Sequence, residues 1–190
     1  MVTTFTAGSP TASHTLIVSA IVLTLAALLA TSSAPAADTG RHGAHQHGVA
    51  TLQVSLDGGV LQITYEGPAE NILGFEHAPR TDAQRKTVAR AEEELRQSAQ
   101  LFTTPPAAAC RAQPARIEMT LPTAHSGETH SEIEAEWRWN CARPDALAHV
   151  DVGLFTTFPR LKQLRAQVVT GKGQTTALLK PGTARLTLGP

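Results

Sequence analysis

From residue 49 the apolar and polar positions alternate strictly, with Ala50, Leu52, Val54 and Leu56 on one side and Thr51, Gln53 and Ser55 on the other. After Asp57-Gly58-Gly59 the alternation resumes, Leu61, Ile63 and Tyr65 against Gln62, Thr64 and Glu66. A period of two marks strands with one buried face, and Asp-Gly-Gly supplies the positive φ angles of a tight turn, so this stretch predicts a β-hairpin. Residues 68–74 suit a short helical turn. Thr81 opens the one long helix: its hydroxyl can cap, Gln84 can reach back, and Val88, Ala91 and Leu95 form an apolar stripe. Glu92, Glu93 and Glu94 circle the other side of that helix and read as a solvated face, not as an acid–base site.

Pro105-Pro106 and the alanines after it mark a loop, followed by a strand near 115–121 and a polar turn at 122–129. The clearest strand comes next. Ile133, Ala135, Trp137, Trp139 and Cys141 alternate with Glu132, Glu134, Glu136, Arg138 and Asn140, which turns both tryptophans into the core. Further strands are expected at 148–155, 163–169, 175–179 and 185–188, with Gly171-Lys172-Gly173 and Pro181-Gly182 as turns. The pattern implies an α+β fold, a mainly antiparallel sheet of about seven short strands with one long helix packed on it.

Upstream of the hairpin the pattern changes twice. Residues 16–30 form a fifteen-residue apolar run broken only by Ser19 and Thr24. As a helix it would span roughly 22 Å, short of the roughly 30 Å of a bilayer core. Ala34-Pro35-Ala36 after it suits cleavage following Ala36, so residues 1–36 read as a secretory leader. The segment before the run has His14 but no Lys or Arg, and an uncleaved anchor is the competing reading. Residues 37–46 are small, polar and His-rich, without periodicity, and read as a flexible arm. Residues 47–190 then make a single α+β domain.

The leader carries no charge, so all sixteen basic and sixteen acidic residues fall in the mature chain. A balanced charge without a basic run gives no field for nucleic acid, and cleavage would leave nothing to insert stably in a membrane. Two cysteines only, Cys110 and Cys141, outside a C-x-x-C arrangement, fit one disulfide in an oxidising compartment. Together with the leader this predicts a periplasmic location. A thiolate metal site is the lesser alternative.

Histidine carries the chemistry. His42, His45 and His47 lie within six residues, directly before the first strand. His45 and His47 project to one side of an extended backbone, and His42 can fold back through Gly43, a set that suits tetrahedral Zn²⁺ with water or a fourth ligand. Imidazole sites bind Cu²⁺ or Ni²⁺ as well or better. The competing, lesser reading of the set is a solvated linker. His125 and His130 flank a turn and can pinch one ion with Glu128 or Glu132, or stand as plain loop residues. His77, between Glu76 and Ala78-Pro79, is a further candidate ligand, with a local hydrogen-bonding role slightly favoured. His149 beside Asp151 suggests pairing at the surface. No G-x-S-x-G elbow, H-E-x-x-H helix or phosphate-cradling Gly loop is present, and nothing selects a nucleophile for a hydrolase built on Glu76 and His77, so the sequence predicts a binding protein and not an enzyme.

Several strings together resemble the ZrgA family of zinc-regulated periplasmic zinc-binding proteins. They are His45-Gln46-His47-Gly48-Val49-Ala50, Pro68-Ala69-Glu70-Asn71-Ile72-Leu73-Gly74-Phe75-Glu76-His77-Ala78-Pro79, the strand ending at Cys141, and Leu154-Phe155 with Phe158-Pro159. The resemblance implies zinc capture in support of an ABC importer or its solute-binding protein. Family members often carry a long His-Asp-Glu-rich insertion, which here is reduced to His125-Ser126-Gly127-Glu128-Thr129-His130, so a tight site rests on fewer histidines. The alternative class is a secreted β-rich interaction module with no physiological metal.

Overall fold

A computed structural model describes residues 46–122 and 131–189, within one structural unit that spans His42–Pro190. The hairpin forms as the alternation requires. β1 (Val49–Asp57) and β2 (Val60–Pro68) pair antiparallel in the register Leu52↔Tyr65, Val54↔Ile63, and the two-residue turn is Gly58-Gly59, both with positive φ (52° and 85°). Both central positions of a type I′ turn demand such φ values, which is why this hairpin turns on glycine.

Around the hairpin the chain builds a seven-stranded sheet. β6 (Glu132–Cys141) lies against β2 and carries β4 (Cys110–Ala112) and β5 (Arg116–Thr120) on its far side. On the other flank β1 pairs with β8 (Gln163–Thr170), which pairs with β9 (Gly173–Leu179). Every pairing is antiparallel except β1 with β8, which run parallel. A second, three-stranded sheet joins β3 (Phe102–Thr103), β7 (His149–Val152) and β10 (Arg185–Thr187). Strands at 148–155 and 185–188 therefore leave the main sheet, and two very short strands, β3 and β4, add to those the periodicity predicts.

The four described helices number α1 (Glu70–Leu73), α2 (Asp82–Arg96), α3 (Ser98–Leu101) and α4 (Leu154–Thr157). Only α2 exceeds a single turn. It starts on the capping box expected at Thr81 and Gln84, and buries Ala91 and Leu95. The indole Nε1–H of Trp137 donates to the Leu95 carbonyl at 2.7 Å, tying the end of α2 to β6. Phe102 of β3 packs edge-on against Trp137 and Trp139, at 4.8 and 5.7 Å between ring centres, so the two sheets share one core.

The strand expected over 148–155 stops at Val152, and Leu154 and Phe155 begin α4. Gly153 explains the break. Its N–H donates to the Leu101 carbonyl at 2.7 Å, and a Cβ there would lie 2.6 Å from the Gln100 carbonyl, so the backbone of α3 takes the place of the next ladder partner. Cys110 and Cys141 are register partners on β4 and β6 and form a disulfide. Among the described residues no helix is long and apolar enough to cross a membrane.

Candidate metal centre

The site begins where the sheet begins. Gln46 to Val49 form a turn closed by the Val49 N–H donating to the Gln46 carbonyl at 3.0 Å, with Gly48 at φ 79°. Gly48 has no room for a side chain, because a Cβ would meet Lys162 Cγ at 3.1 Å in a conformation that already strains L-residues. Its carbonyl accepts from the Lys162 and Gln163 N–H groups at 2.7 and 2.9 Å, which carries the β1–β8 pairing back to the residue next to His47.

A second strap comes from α1. Asn71, only 1% exposed, accepts from the Gly48 N–H at 2.6 Å through Oδ1 and donates to the Val49 carbonyl at 3.0 Å through Nδ2. One amide thus holds two successive residues of the turn, Gly48 and Val49, and the turn presents His47 outward. Beneath Asn71 lies Tyr65, whose buried hydroxyl has no partner in good hydrogen-bond geometry and whose phenol is held well above its ordinary pKa, chiefly by that burial, with the Asn71 amide acting against the rise. α1 itself is held by the Ala69 N–H donating to the Ser131 carbonyl at 3.1 Å, and ends on Gly74 at φ 82°. Burial of Asn71, Ile72 and Leu73 turns Glu70 to the opposite, half-exposed side.

His47 and Glu70 meet there, with Nδ1 2.7 Å from Glu70 Oε2, while Nε2 lies 3.5 Å from Glu76 Oε1. The three side chains are 60, 30 and 38% exposed. One ligand atom from each falls within 4.8 Å of the others. Tetrahedral zinc, with bonds of about 2.0–2.2 Å, sets its ligand atoms about 3.4 Å apart. The present spread, up to 4.8 Å, is wider than that. The set offers one nitrogen and two carboxylate oxygens, one ligand short of a tetrahedron. Beside it opens a cleft of about 510 Å³ lined by His47, Gly48, Glu70, Asn71, Pro159, Arg160 and Lys162.

Of the histidines read from the sequence, His47 enters this group. His77 does not: its Nδ1 lies 2.8 Å from the Ala78 carbonyl and its ring stacks on Phe75 at 5.2 Å. His149 sits 3.9 Å from Asp151. His42, His45, His125 and His130 lie outside the described residues. The sequence reading assigned no chemistry to Glu70 and considered Glu76 only for hydrolysis. The available signal was that both flank Gly74 in the long non-periodic string that carries the family resemblance.

No curated protein matches the sequence. Residues 44–188 match the family described as ZrgA family zinc uptake protein, a span that contains every residue of the site above. The chain belongs to the ZrgA family of zinc uptake proteins.

Proposed function

We propose that the protein is a periplasmic accessory of zinc uptake that captures Zn²⁺ on His47, Glu70 and Glu76. One observation carries the reading: in a chain of a zinc uptake family, an imidazole and two carboxylates from separate segments converge on a single point. His42 and His45 would add imidazoles from the arm, His125 and His130 a second or shared site, and His77 a ligand held in reserve. The captured ion would pass to the solute-binding protein of a zinc ABC importer. Capture of this kind is binding and not catalysis. The leader, the disulfide and the family support a place outside the cytoplasm. Neutral imidazole is the ligand form, so acid weakens the site.

Competition of the purified protein against a chromophoric zinc chelator tests this. Zinc should bind with a dissociation constant well below millimolar, and His47→Ala or Glu70→Gln should weaken it by about 100-fold or more, since even supporting residues are worth about 10–100-fold. Binding no tighter than millimolar, or affinity indifferent to both substitutions, overturns the proposal.

A further inference from the structure

Arg160 and Lys162 are out of place beside a site meant for a free cation. Both line the same cleft as His47 and Glu70. Among the described residues neither forms an ion pair, although Glu70 stands in the same cleft. The Arg160 guanidinium is held over Gly74, where a Cβ would come within 2.7 Å of Nε, and the Lys162 stem packs on Gly48 while Nζ donates to the Pro159 carbonyl. The glycines that shape the metal centre therefore also make room for the two cations.

Two carboxylates and one neutral imidazole bring a divalent ion to formal neutrality, and the two cations leave the cleft with an excess of positive charge. Without the ion the two carboxylates and two cations balance, so the excess arises on metal binding and then attracts an anion to the cleft. His47 and Glu70, 60 and 30% exposed, line the cleft, and its volume lies within the roughly 300–1,000 Å³ usual for small-molecule sites. Guanidinium pairs with carboxylate through two parallel hydrogen bonds, with a geometry lysine does not match.

We propose, resting on the zinc reading above, that this cleft binds a small organic carboxylate which occupies the open metal position and is held by Arg160 and Lys162. The species taken up or released is then a metal–carboxylate chelate and not the bare ion. No bond beyond metal coordination is made or broken.

The test uses full-length protein loaded with Co²⁺, whose visible bands report its ligands, titrated with malonate and with acetate at fixed ionic strength, chloride serving as the control anion. Malonate should shift the bands saturably, acetate more weakly and chloride not at all. Arg160→Met and Lys162→Met should each weaken malonate by about 10-fold or more while Co²⁺ alone binds as tightly or more tightly, a pair of opposite effects that misfolding does not produce. Arg160→Lys should fall between. Absence of a saturable shift, an equal response to chloride, or malonate affinity unchanged in both variants overturns the carboxylate site and leaves the metal site standing. Failure to bind Co²⁺, or Co²⁺ binding that survives His47→Ala, overturns both.

Discussion

Replacing Asn71 with alanine removes the side chain that grips Gly48 and Val49, the two residues that follow His47 in its turn. Two hydrogen bonds go, from the Gly48 N–H at 2.6 Å and to the Val49 carbonyl at 3.0 Å. The stranded groups decide the magnitude, because a buried polar group left without a partner costs about 1–3 kcal/mol. Gly48 is buried and Val49 half-buried, so the first falls toward the upper end and the second toward the lower. The sum is about 3–4 kcal/mol, a large fraction of the roughly 5–15 kcal/mol that holds a domain of this size. Urea unfolding with and without zinc reads both consequences. In metal-free protein the midpoint should drop by an amount matching that range. Zinc affinity should fall about 10–100-fold, since Asn71 fixes Glu70 relative to His47 without touching the ion. A stability loss with zinc affinity unchanged within twofold would mean that the clamp supports the sheet and not the site. A stability change under about 0.5 kcal/mol would refute the accounting of the stranded groups.

Three further outcomes follow from other parts of the molecule. Tyr65→Phe should be neutral or stabilising by urea unfolding, because the hydroxyl it removes is buried without a partner; a loss above about 1 kcal/mol would show that the hydroxyl is bonded after all. Replacing Cys110 and Cys141 together with serine opens a crosslink spanning 31 residues and should cost about 3–4 kcal/mol, read as the difference in urea stability from the oxidised protein; under about 1 kcal/mol, the strand pairing alone holds that edge. The two hydrogen bonds from Arg185, at 2.6 and 2.9 Å, hold the Asp151 carboxyl below its ordinary value of 3.8. A depressed carboxylate contributes stability above that value and loses it as the pH falls through the lower folded value, so the NMR midpoint of Asp151 should rise in Arg185→Met.

The elements legible in the sequence are those whose cause is local. The hairpin is written in a period of two and in Gly58-Gly59, and α2 in Thr81, Gln84 and the stripe ending at Leu95. The parallel pairing of β1 with β8 is not written locally, since both strands carry the same alternation in either orientation. Division into two sheets was hidden for a related reason: β7 and β10 look like β8 and β9 until Phe102 and Gly153 place them. The site was half legible. His47 announced itself through the neighbouring imidazoles, but glutamates are common on surfaces, and only the orientation of α1 by its buried side distinguishes Glu70 from the exposed carboxylates of α2.

The carbonyl of Gly48 accepts from Lys162 and Gln163, more than a hundred residues further along the chain. A ribosome working from the N-terminus therefore makes His47, Glu70 and Glu76 early, yet the turn that aims the imidazole gains its second support only when β8 arrives. Contacts of such long sequence separation close late and slowly. A chain cut short before residue 162 would contain all three ligands and lack the β8 support of the aiming turn, so the binding point matures with the last part of the domain. Zinc held by the three side chains would gain the full framework of the turn only once β8 has joined β1.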